Sequence, residues 1–184
     1  YVDHCVGDIV SFLRDRFEDP IIVVTADHGD LLGERGLLGH HISVHDAVFN
    51  VPLVVAGLPQ LKHATGHPVQ HVDVMQTLLS IAGGDTSQFQ GVDLRTEKRD
   101  MAIAQTYRGS VADNSQENYG RIKQYNDSFD DSHLHQSLLT AARTTKHKLL
   151  HTEEWTRLYQ LPDETTDIKE TEPEIHDDLL DYVE

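Results

Sequence analysis

Apolar and polar positions follow two periods along this chain, and the periods place the elements. Residues 1–18 set Val2, Val6, Ile9, Val10, Leu13 and Phe17 at steps of three and four, one face of an amphipathic helix that Pro20 stops. Ile21–Thr25 is an unbroken, mostly β-branched run, the pattern of a central parallel strand covered on both faces. Leu53–Ala56, introduced by Pro52, repeats that pattern. Between the two runs lie about 25 residues with Gly29, Gly33, Gly36 and Gly39, within which Val44–Phe49 predicts a short helix. Residues 60–70 read as loop or a short edge strand. Asp73 is the expected N-cap of a helix whose face is Val74, Met75, Leu78, Leu79 and Ile81, closed by Gly83 and Gly84.

The second half is patterned differently. Residues 85–100 read as loop and Met101–Tyr107 as a strand. Residues 109–136 are almost devoid of aliphatic side chains and predict a solvated insertion. Leu138–Arg143, Lys146–His151 and Arg157–Leu161 predict an antiparallel meander, and Glu174–Val183 a terminal helix. The expected fold class is α/β. Residues 1–100 would form part of a mostly parallel sheet flanked by helices, and residues 101–184 a small antiparallel sheet with a terminal helix and the polar insertion.

Composition bounds the function. The 184 residues suffice for one domain with a core, and no run approaches the roughly 20 apolar residues of a membrane helix. A net charge of −16, from 31 acidic and 15 basic residues, argues against nucleic-acid or anionic-membrane partners. It leaves two readings open: ordinary solubility, or halophilic adaptation to a high-salt cytoplasm. No signal peptide is visible, so the expected compartment is the cytoplasm, and a first residue of Tyr1 suggests a processed or excised piece. Cys5 is the single cysteine, excluding an intrachain disulfide, and its helical setting predicts a buried structural thiol. Most of the 13 histidines, such as His63, His67, His133, His147 and His176, are scattered and default to surface or satisfied positions.

The chemistry concentrates between Ile21 and Pro52. Asp27 and His28 follow the first strand, at the edge where open α/β sheets bind ligands. A carboxylate beside an imidazole can hold a divalent cation, although two ligands alone are too few for a tight site. On these residues alone, a turn in which Asp27 caps its own backbone accounts for the pattern equally well.

The longer pattern, TADHGDLLGERGLLGH followed by VPLVVAGLP, closely resembles the type I sulfatases of the alkaline phosphatase-like superfamily. Asp27, His28, Gly29, Leu32, Gly33, Glu34, Gly36, Gly39, His40, Val51, Pro52 and Leu53 carry the match. Tyr1, Asp3 and Gly7 resemble the family's preceding helix, and His71, Asp73 and Thr77-Leu78-Leu79 a later one. Gln90-Gly91 with Asp93-Leu94, Ala142-Arg143-Thr144 with Lys146 to Leu149, and Leu158 to Leu161 also resemble family segments. The resemblance implies the C-terminal part of an alkaline phosphatase-like fold. It implies Asp27 and His28 as metal ligands, and His40, where the family often has Lys, as the group that binds a sulfate oxygen and protonates the leaving oxygen. The implied cofactor is a divalent cation, calcium first, with manganese, magnesium or zinc open because His28 replaces an Asn. The implied substrate is a small-molecule or saccharide sulfate ester. For His41 and His45 the expected role is loop hydrogen bonding.

Departures qualify the reading. The family's formylglycine arises from Cys or Ser in a Cys/Ser-x-Pro-x-Arg motif, which these residues do not contain, and Cys5 is followed by Val-Gly-Asp. The family's N-terminal Asp-Asp metal ligands have no counterpart here either, so the expected activity belongs to an intact protein and not to this chain alone. Three alternatives stand beside the sulfatase: a phosphodiesterase or phosphonate monoester hydrolase on the same scaffold, and a non-catalytic binding module. An exposed sheet edge is also expected to favour homo-oligomers. If the acidic surface is a salt adaptation, the unfolding midpoint rises with KCl into the molar range; full folding at low salt with no such gain leaves only ordinary solubility.

Overall fold

Pro20 separates the first helix from the first strand, as the sequence requires. In the computed structural model, which describes residues 1–34, 38–40, 43–63, 66–106, 124 and 138–183, helix α1 spans Val2–Arg16 and strand β1 spans Ile22–Thr25. The chain then forms a two-residue ladder between β2 (Leu31–Leu32) and β3 (Leu38–Gly39), a short helix α2 (Asp46–Phe49), and strand β4 (Leu53–Ala56). A 3-10 turn at Pro59–His63 leads towards helix α3 (His71–Ile81). The second half holds β5 (Ala102–Thr106), β6 (Leu139–Arg143), β7 (His147–His151), β8 (Thr156–Gln160) and helix α4 (Pro173–Val183). The expected insertion at 109–136 lies outside the described residues except for Gln124.

Three expectations are corrected. The run at Ile21–Thr25 does not pair in parallel with the next strand: β1 and β4 form an antiparallel ladder with Ile22 opposite Ala56 and Thr25 opposite Leu53. An unalternating apolar run reports what covers a strand, not its direction, and the chain between these two strands turns back without a full crossover helix. Asp73 is not the N-cap of α3 but its third residue; Gln70 is the N-cap, and the two form a reciprocal capping box. Asp73 is fully buried, accepts from the Gln70 and Val92 N–H groups at 2.8 and 3.0 Å, and pairs with Arg99 at 2.5 Å. It thus ties the start of α3 to the segment at 90–99. Cys5 is only half-buried, and no residue of α1 is buried; Ile9, Phe12 and Phe17 remain more than half exposed.

The core sits on the four-stranded sheet, ordered β5-β6-β7-β8 and antiparallel throughout. Strand alternation divides its side chains between two faces. Ala142, Leu149 and Leu158 pack on one face against Leu179 of α4, with Ile175, Leu180 and Val183 around it. Leu139, Ala141, Leu150 and Tyr159 pack on the other face against Val44, which belongs to the loop following β3. The same alternation puts Arg143 and Lys148, directly opposed across β6 and β7, on the Val44 face.

These cations meet carboxylates from far along the chain. Lys148 is 1% exposed, and its Nζ lies 2.8 Å from both Asp46 Oδ1 and Glu164 Oε1. Arg143 also donates to Asp46, with Nη2 at 2.8 Å from Oδ2. Glu164 Oε2 accepts the Asp46 N–H at 2.9 Å and lies 3.3 Å from Nδ1 of buried His45. Two opposed cations are tolerated because two carboxylates interleave them. His45, expected only to bond within its loop, therefore reaches across to Glu164, while His41 lies outside the described residues.

Gly29 is held where no side chain fits. Its N–H donates to Val48 O at 2.7 Å, and a Cβ there would collide with the Ala47 carbonyl oxygen. Gly29→Ala is expected to lower stability by about 1–3 kcal/mol in chemical denaturation. Burial would raise the Glu164 pKa, but hydrogen bonding to His45 and the Lys148 charge outweigh it and hold the carboxyl at about 2, below the ordinary 4.5. A depressed carboxylate contributes stability that is present above its unfolded pKa and lost as pH falls through the folded value. The stability gap between wild type and Glu164→Gln is therefore expected to shrink between pH 4.5 and about 2, measured as denaturation free energy against pH; a gap constant across that window contradicts it.

Candidate functional site

The end of β1 and the hairpin that follows bring the predicted residues together. Asp27 and His28 leave β1, Asp30 immediately precedes β2, and His40 immediately follows β3. The β2–β3 ladder pairs Leu31 with Gly39, which sets Asp30 and His40 next to each other one step beyond it. Their side chains meet, with His40 Nδ1 at 2.7 Å from Asp30 Oδ1. The His28 and His40 rings stack with centroids 3.8 Å apart and planes 29° apart. His28 and His40, twelve positions apart, are thus neighbours.

The hydrogen bonds fix protonation. His28 Nδ1 lies 3.0 Å from the Gly29 carbonyl oxygen, which can only accept, so Nδ1 carries the proton and Nε2 the lone pair. The same argument places a proton between His40 Nδ1 and the Asp30 carboxylate. Asp27 is largely exposed; its Oδ1 accepts the His28 N–H at 3.0 Å and its Oδ2 lies 3.7 Å from His28 Nε2. Backbone hydrogen bonds, first from the His28 N–H and then at Asp27 itself, hold the Asp27 carboxyl below its usual range. Asp27 therefore stays ionised at neutral pH, as a cation ligand must.

These donors fit a divalent cation. An ionised carboxylate oxygen and an imidazole Nε2 lone pair lie side by side at the solvent-facing end of the strand. Asp30 was not singled out by its sequence position. The signal that could have found it is the hairpin: glycines at 33, 36 and 39 between short leucine-rich runs allow a turn that returns His40 to Asp30.

A half-open cavity of about 680 Å³ lies beside the site rather than in it. Thr25, Leu53, Val55, His71, Ile103 and Lys148 are among its walls, and Asp27, His28 and His40 are not. Thr25 links the two places, because its Oγ1 is 3.3 Å from His71 Nε2 at the start of α3.

Known proteins resemble this chain in sequence and in fold. Residues 1–84 match the Sulfatase family model. A multifunctional alkaline phosphatase superfamily protein of Trinickia caryophylli is 35% identical over 91 residues, 46% of this chain and 17% of its own length. A choline-sulfatase of Rhizobium meliloti is 40% identical over 88 residues, 45% of this chain and 16% of its own length. The solved phosphonate monoester hydrolase of Agrobacterium radiobacter superposes with a TM-score of 0.73 at 20% identity, over 99% of this chain and 38% of that one. The matched stretches span about a sixth of the curated relatives' length. The expected α/β, alkaline phosphatase-like fold is thereby established, and residues 1–84 match the sulfatase family model over part of that family's length.

Proposed function

We propose that this chain supplies one side of the active site of a metal-dependent hydrolase of sulfate esters. Asp27 and His28 are two of the metal ligands, and His40 binds a sulfate oxygen and protonates the leaving oxygen. The observation that carries this reading is the stacking of His28 on His40 at the end of β1, with ionised Asp27 beside them. Asp27 and His28 would hold the cation, which would supply neutralisation of charge on the sulfuryl group. Calcium is the ion the family resemblance favours; the imidazole of His28 also suits manganese or zinc, and magnesium is the further candidate.

The chain's own residues do the remaining work. The Asp27 carboxylate, kept ionised by the His28 N–H, presents oxygen to the cation. The Gly29 carbonyl orients the His28 ring so that Nε2 faces outward. Asp30 orients His40 through Nδ1, and the ring, when doubly protonated, can donate from Nε2 to an ester oxygen. The residues that attack the ester lie outside these 184 residues in this reading, so turnover belongs to the protein in which this chain is joined to them.

The choline-sulfatase relative supports a sulfate ester as substrate. The fold likeness to a phosphonate monoester hydrolase supports a second reading, a phosphodiester or phosphonate monoester. Parallel assays of the intact protein on an aryl sulfate and an aryl phosphate diester separate the two. The expected result is aryl sulfate turnover that a chelator abolishes, and that His40→Ala lowers by about 10²–10⁴-fold in kcat. Turnover of the phosphate diester alone would replace the first reading with the second, and arylsulfatase turnover by the 184-residue chain alone would refute the division of the site.

A further inference from the structure

Helix α1 carries more apolar surface than this chain covers. At about 100° per residue, its apolar side chains from Val2 to Leu13 fill about half of the circumference, and the polar ones fill the other half. Along one edge of the apolar arc, Val6, Val10 and Leu13 are half-buried. Along the other, Val2, Ile9 and Phe12 are 74%, 59% and 59% exposed. Apolar side chains scattered singly over a surface need no explanation, but three aligned on one stripe of a helix do.

The strands next to α1 point the same way. β1 and β4 form a two-stranded ladder with no further strand on either edge among the described residues, and Val54 of β4 is exposed. Such a pair is marginal by itself and takes its stability from further strands or a covering helix. The phosphonate monoester hydrolase fold matches 99% of this chain with 38% of its own length, so the larger part of that fold is a body this chain does not contain. We propose, building on the hydrolase reading, that the Val2, Ile9 and Phe12 stripe is a docking surface for the part of the intact protein that carries the residues attacking the ester. Only residues 17–21 separate α1 from β1, so one body can cover the stripe and extend the ladder. Arg16 ends the stripe with a cation, its guanidinium carbon 5.9 Å from the Phe12 ring centre. The docked surface is therefore apolar opposite Ile9 and offers an acceptor at the Arg16 end.

The test compares the 184-residue chain with the intact protein. Hydrogen exchange read by mass spectrometry is expected to be at least about a hundredfold slower across α1 in the intact protein than in the chain alone. Ile9→Asp and Phe12→Asp are each expected to lower the thermal midpoint of the intact protein by about 3 °C or more, and that of the chain alone by less than about 1 °C. Ser11→Asp, on the polar side of α1, is expected to move neither midpoint by more than about 1 °C. Equal exchange across α1 in both proteins would overturn the proposal, and that measurement needs no variant, so a substitution that prevents folding does not blunt it. Asp substitutions that act alike in both contexts would overturn it too. So would a concentration-dependent dimer of the 184-residue chain, seen by sedimentation velocity and dissociated by Ile9→Asp, which makes a second copy the occupant. Aryl sulfate turnover is measured on the same intact protein. Protection of α1 without turnover removes the hydrolase reading and keeps the docking surface, and turnover without protection does the reverse.

Discussion

A buried lysine holds the site to the rest of the chain. Lys148 is fully buried on β7, and its ammonium is tolerable there only because Asp46 and Glu164 flank it at hydrogen-bonding distance. Asp46 opens the short helix that follows the site loop, and Glu164 lies in the connection beyond β8. One charge therefore fixes three segments that are distant in sequence. Removing either carboxylate leaves the other to carry the lysine, whereas removing the lysine leaves Asp46 to Arg143 and Glu164 to His45 without the cation they share.

From that anchor the site loop is positioned backwards along the chain. Helix α2 presents the Val48 carbonyl to the Gly29 N–H, and the absence of a side chain at Gly29 allows the two backbones to touch. His28 is consequently set by α2 on one side and by β1 on the other. Val44, sealed under the sheet beside Tyr159, holds the return limb of the loop. The chemistry on the hairpin and the packing of the C-terminal sheet are thus mechanically linked. Asp73 does similar work for α3, where one carboxylate satisfies two backbone N–H groups and Arg99.

Much of this was legible in the sequence. Each strand of the C-terminal meander lies within a residue or two of its expected limits, because alternation and turn residues are local signals. Asp27, His28 and His40 meet at the end of β1. Two things were not legible. Strand direction was missed at Ile21–Thr25, since an apolar run is the same in either orientation. The partners of Asp46, His45 and Lys148 were missed because each contact spans roughly a hundred residues, and no local pattern encodes it. Asp30 fell between these cases. Its partner is ten positions away, but only the hairpin register makes them neighbours.

Helix α1 differs from everything downstream in how it is stabilised. Its fifteen residues bury no side chain, and its Leu13–Phe17 closure and a few local polar pairs are the contacts it keeps to itself. A helix of that length whose apolar face is only half-buried is marginal in water. Its amide protons should therefore exchange with solvent through local fraying, far faster than those of β6 and β7, whose opening requires the sheet to come apart. Resistance to opening is thus expected to rise from α1 towards the sheet around Lys148.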